Sequence, residues 1–205
     1  MNLFLRAKHW QLFVLTFGIP ILLEMIFIFC IFSQMIEHPI TAATVYSIFS
    51  YFKFFPVIML VFMAGLLGWQ WSVAVGLQKL VPADVKMKIG KFKLFFFFPV
   101  VYLTLLMIFI FFVFSTNLSN PNNIGAGFFI AFAVIVPFHL FSMFCLFYCI
   151  YFVSKTLKTV ELQKEVTFAD FALEFFLVWF FPIGVWILQP KINKMITEYQ
   201  LSQIS

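Results

Sequence analysis

Apolar residues in this chain run in long blocks, and each block ends in a short polar, basic or proline-containing stretch. The blocks cover about residues 10–32, 53–78, 94–115, 128–153 and 171–188. Crossing about 30 Å of hydrocarbon takes roughly 20 apolar residues wound as helix. A membrane barrel would show short alternating segments instead, and these are absent. The pattern predicts an all-α membrane protein, a single transmembrane domain built as a bundle of about five helices. Each block holds one proline: Pro20, Pro56, Pro99, Pro137 and Pro182. Proline is tolerated in a membrane helix where neighbouring groups satisfy the freed carbonyl, so the helices are expected to be bent. Short interfacial helices are expected at residues 40–51, after Pro39, and in a tail over 190–201. In the tail Ile192, Met195, Ile196 and Tyr199 share one face.

The second block carries the element on which the bundle is expected to pack. Ala64, Gly68, Ser72 and Gly76 recur every four residues, so on a helix they form one groove of small side chains. In a bilayer such stripes let two backbones approach, because lipid is as apolar as leucine and gives no hydrophobic drive between helices. Gln70, between Trp69 and Trp71, is a polar group that a lipid-facing position would leave unsatisfied, and it reads as interhelical glue.

The fifth block, Phe171 to Leu188, admits two readings. Thr167 to Asp170 has the form of a capping box, so a helix starts there with Asp170 and Glu174 in its first turns, where the dipole favours negative charge. These acids either cap the helix, pair with the lysines of the second cytoplasmic segment, or bind a cation. Pro182 and Gly184 interrupt the block. Its length favours a full crossing; re-entry at the Pro-Gly break would instead keep Lys191 and Lys194 inside.

Composition agrees with the pattern. The chain is 64% hydrophobic and only 10% charged, with mean hydropathy +1.07, which excludes a soluble globule of this size. The net charge of +5 does not point to nucleic acid, because the lysines cluster beside apolar blocks. Lys79, Lys86, Lys88, Lys91 and Lys93 stand against Asp84 alone between the second and third blocks. The positive-inside bias places this loop and the N-terminus, with Arg6 and Lys8, in the cytoplasm, and Lys86, Lys88, Lys91 and Lys93 are expected to face anionic headgroups. The first block is too long for a signal-peptide core and stays as a span. The polar loop after the third block contains Asn117-Leu118-Ser119, a glycosylation sequon to which little weight attaches. Cys30, Cys145 and Cys149 lie inside blocks and imply no disulfide framework or zinc site.

Glu24 and His139 each lie near the middle of a block, where an ionisable group costs at least about 2.5–3.5 kcal/mol on insertion scales. If the two spans touch, a Glu–His hydrogen bond would be either static or a proton relay. His139, Met143, Cys145 and Cys149 are soft donors on one span, but the two i, i+4 pairs are offset, and no metal site is read from them. Ser142 beside His139 is the one local candidate for a nucleophile and base. No hydrolase, phosphate-binding or dinucleotide motif is present, and no cofactor is expected.

Pro182, Ile183, Gly184, Trp186, Gln189, Pro190, Ile192 and Asn193, with the opening RAKHWQLF, resemble a group of small polytopic bacterial inner-membrane proteins ending in P-I-G-x-W-x-x-Q-P-x-I-N. The resemblance covers about the last sixth of the chain, implies no known activity and transfers no functional residue. The leading expectation is a non-enzymatic integral subunit of a larger inner-membrane complex or homo-oligomer, with lipids and other membrane subunits as partners. A proton-coupled transporter or channel using Glu24 and His139 is the alternative, and a lipid-acting membrane enzyme the third.

Overall fold

A computed structural model describes residues 3–37, 39, 41, 48, 51–116 and 126–202. Among these residues the regular structure is helical throughout. The chain begins with α1 (Leu3–Arg6) and α2 (His9–Phe13), and a π turn over Val14–Gly18 leads into α3 (Ile19–Glu37). A 3-10 turn over Phe52–Phe54 opens α4 (Phe55–Gly76), and a second one, Leu77–Leu80, closes it. Then follow α5 (Ile89–Thr116), α6 (Ala126–Leu162), α7 (Phe168–Trp179) and α8 (Phe181–Ser202). The expected interfacial helix after Pro39 and the sequon at Asn117 lie largely outside the described residues.

Among the described residues, four helical stretches are long and apolar enough to cross a membrane: His9–Glu37, Phe52–Leu80, Ile89–Val113 and Ala133–Leu162. The π turn within the first has a local cause. Pro20 has no amide hydrogen, and in an unbroken α-helix its ring would press on the Thr16 carbonyl. Widening the turn, so that the Ile19 amide bonds back to Val14, relieves that clash. Pro56 sits in the first turn of α4, where a missing amide costs nothing, while Pro99 and Pro137 lie inside α5 and α6.

The fifth block does not form one helix, and the full crossing that its length favours is not among the four candidate spans of the described residues. Phe180, with φ −88° and ψ 55°, breaks it into α7 and α8, and its carbonyl accepts from the amides of Ile183 and Gly184 at 3.0 and 2.9 Å. The two helices fold back on each other as a hairpin. Nor is the tail a separate helix: α8 continues through Pro190 to Ser202, with Ile192 and Ile196 buried in the bundle.

The core lies in one half of the bundle. Trp69 and Val73 of α4, with Leu77 of the turn that closes it, meet Phe92 of α5, Phe152 and Leu157 of α6, and Phe181 and Val185 of α8. Phe92 stacks on Phe152 at 4.8 Å between ring centroids. Towards the other end, α3 past Pro20, α5 past Val100 and α6 before Ser142 have no buried residue among the described side chains. Large apolar groups face outward there, among them Leu22, Phe29, Leu105 and Leu140. Such a surface is stable against lipid or another apolar helix and not against water.

Candidate functional site

A buried polar node ties the two ends of the chain together. Gln189 of α8 is wholly buried, and its Oε1 accepts from Trp69 Nε1 at 2.8 Å. Its Nε2 lies within reach of the Phe4 and Ala7 carbonyls, at 3.1 and 3.0 Å, and of Asn193 Oδ1 at 3.0 Å. Asn193 Nδ2 donates to the Ala7 carbonyl at 3.2 Å. These carbonyls belong to the end of α1 and the turn after it, which leaves them no helical partner. One glutamine thereby joins the N-terminal segment, α4 and α8. His9 and Phe13 pack their rings against Trp186, at 4.7 and 5.6 Å, so α8 runs alongside the start of the first span.

Four charges close the base of the hairpin. Glu174 of α7 is buried, and its Oε1 takes Lys158 at 3.1 Å and Lys191 at 2.9 Å. Glu161 Oε2 takes the same two lysines, at 3.0 and 2.6 Å. The ring spans α6, α7 and α8. Burial opposes the charge on Glu174, but hydrogen bonds from Lys191 and Lys158 outweigh it and hold the carboxyl below its ordinary range. Glu174 therefore pairs with Lys158 and Lys191 and not with the loop lysines. Asp170 caps instead: its Oδ2 accepts from the Thr167 amide at 2.7 Å and the Thr167 hydroxyl at 2.8 Å. These two bonds hold the Asp170 carboxyl below its usual range.

The small-residue stripe is used, one step out of register. Ser72 is buried, Gly76 is half-buried and Ala64 faces outward. Gly65 does what the spacing assigned to Ala64: a Cβ there would stand 2.9 Å from Thr16 Oγ1 and 3.3 Å from Thr16 Cα, so α4 crosses the π turn backbone to backbone. Gly68 receives the edge of the Phe4 ring, 3.0 Å from where its Cβ would be. Gln70 is buried with Oε1 unpartnered, while its neighbour Trp69 forms the cross-chain bond.

Glu24 and His139 are not brought together. Both face outward, and no hydrogen bond or ion pair joins them; α3 packs on α4 and the π turn. His139 lies 6.1 Å from the Tyr102 ring. Ser142 is buried while His139 faces out, so the pair is not aligned for general-base chemistry, and Ser142 Oγ has no partner. Cys145 and Cys149 are buried free thiols, and among the described residues no three His, Cys, Asp or Glu side chains converge as metal ligands would.

The loop lysines line a cleft of about 380 Å³ between the start of α5 and the adjoining face of α6. Lys86, Lys88 and Lys91 form one wall, and Tyr148, Tyr151 and Lys155 the other. Lys93 lies outside it. A second cleft, about 630 Å³, opens beside the ion ring between Lys79, Gln163, Lys194 and Tyr199. Lys155, Gln189 and the ring members other than Glu174 were not identified as site residues from sequence; Gln189 and Asn193 were visible only as members of the C-terminal pattern. The chain matches no protein-family model, and neither a curated protein nor a solved structure matches it.

Proposed function

We propose that the protein is a non-enzymatic integral subunit of a larger assembly, or of a homo-oligomer, in a bacterial inner membrane, with its N-terminus in the cytoplasm. The observation that carries this reading is Glu24, an ionisable side chain within an apolar span, facing outward with no partner among the described residues. Counted along the helix from Lys8, it lies about 24 Å from the cytoplasmic end, in the outer half of a core about 30 Å thick and still within it. Ionisable groups at such depth face protein or water in nearly every case, because lipid cannot solvate them. The face of α3 that carries Glu24 is then covered by another polypeptide. The lack of buried residues among the described side chains in the outer parts of α3, α5 and α6 leaves room for such a neighbour.

The lysine-rich loop and the basic N-terminus favour a cytoplasmic placement for both. With them on one side, α7 and α8 enter from the cytoplasm and return as a re-entrant hairpin. Phe181 at its tip lies 6.1 Å from Phe17, nine residues into the first span from Lys8, or about 14 Å along the helix. The hairpin thus reaches about the bilayer midplane, and Lys191 stays with Lys158 at the surface.

Purification in a mild detergent should yield either a stoichiometric protein partner or a defined homo-oligomer, and Glu24→Leu should weaken that association. A monodisperse monomer, free of partner and indifferent to Glu24→Leu, overturns the reading.

A further inference from the structure

We propose that the cleft between the start of α5 and α6 is a specific binding site for one anionic phospholipid, which it holds by the headgroup phosphate. Four lysines, Lys86, Lys88, Lys91 and Lys155, surround it against the single carboxylate of Glu165. None of the four has an ion-pair partner among the described residues. Elsewhere the structure pairs its half-buried lysines closely, as Lys158 and Lys191 show. The unpaired set therefore represents concentrated positive charge. Tyr148 and Tyr151 also line the cleft, with no hydrogen bond to their hydroxyls among the described residues, and add two donors suited to phosphate oxygens. α5 starts beside Lys88 and carries no acidic residue in its first turn, so its N-terminal dipole adds to the positive field there.

What distinguishes a lipid from a free anion is the surface that continues from the cleft. Phe95 packs on Tyr148 at 4.8 Å and on Phe144 at 6.0 Å, and Phe98 packs on Phe141 at 4.7 Å. These rings form a seam between α5 and α6 leading from the lysines towards the middle of the span. Phe141 and Phe144 are exposed along it, which is the surroundings an acyl chain needs. A diacyl phosphate ester, with its phosphate among the lysines and one chain along the seam, satisfies both halves of the feature. The proposal rests on the membrane orientation given above but not on the subunit assignment.

The test uses the purified full-length chain, delipidated in detergent and titrated with phosphatidylglycerol, with phosphatidylcholine, or with inorganic phosphate. Retention is read by native mass spectrometry and by the shift in unfolding temperature. Phosphatidylglycerol should be retained at one per chain and raise the unfolding temperature, whereas phosphatidylcholine and phosphate should do neither. Lys91→Ala and Lys155→Ala should each weaken retention about fivefold. Lys91→Arg should preserve it, and Lys93→Ala, outside the cleft, should leave it unchanged. Equal retention of the two lipids, an equal loss with Lys93→Ala, or the same stabilisation by phosphate alone overturns the assignment. Loss of a protein partner on Glu24→Leu with lipid retention intact would separate the two proposals.

Discussion

A methyl group added at Gly184 would fall on the Leu177 carbonyl, which is backbone and cannot turn aside. The corner of the hairpin therefore depends on this one missing side chain. Gly68 makes a useful contrast, because its neighbour is the Phe4 ring at the far end of a side chain that can rotate. Gly68→Ala should behave as mild overpacking and cost about 1 kcal/mol. Gly184→Ala should cost well above the roughly 3 kcal/mol at the upper end of ordinary overpacking, since α7 and α8 cannot close over it. Thermal unfolding of the two variants in one detergent checks the ranking. Equal losses would mean that the corner opens without penalty. At this scale the sequence was informative about residue type and silent about partners. That small residues on α4 mark a close helix crossing was readable from their spacing. That Gly65 and not Ala64 lies against Thr16 depends on the rotation of α4 about its axis, and a block apolar on all sides does not encode that rotation.

The same limit governs the elements. Block length and hydropathy located the helices that can span, because lipid demands about 20 apolar residues regardless of what packs against them. The capping box at Thr167 was readable because its geometry is local, completed within four residues. The fate of the fifth block was not, because its two halves are held by groups far away in sequence: Lys158 on α6, Trp69 on α4 and the carbonyls after α1. The ion ring at the hairpin base makes this dependence measurable. Glu174 is buried between two lysines, and removing one member of a buried set leaves charge uncompensated. Glu174→Gln should destabilise the protein on the order of 3 kcal/mol. Acid should do so in the wild type. Because Glu174 and Asp170 sit below their ordinary values when folded, their contribution is complete above the unfolded carboxylate range near about pH 4 and is lost as pH falls through the folded values. Unfolding temperature measured from pH 7 downward should fall in that window, and less steeply in Glu174→Gln. An identical acid profile in the variant would remove Glu174 from the account.

For the whole molecule, the uneven packing and the hairpin have one physical origin. α7 and α8 fill one half of the bundle, with Phe181 and Val185 reaching Trp69 and the core around it. Among the described residues nothing comparable fills the other half, and it is there that Glu24 faces outward. A re-entrant hairpin has a consequence that a crossing helix does not: both termini lie on one side. Leu3 and Leu201 are exposed at the two ends of the described chain, so cysteine variants at these positions can be labelled without disturbing the core. The native thiols at Cys145 and Cys149 are buried, and a Cys30→Ala background removes the third. In oriented vesicles a membrane-impermeant maleimide should reach Leu3→Cys and Leu201→Cys from the cytoplasmic face and neither from the outer face. A label on Leu201→Cys from the opposite side would mean that Phe171 to Leu188 crosses after all. It would also break the ion ring across the membrane, since Lys191 cannot share Glu174 with Lys158 from the far surface.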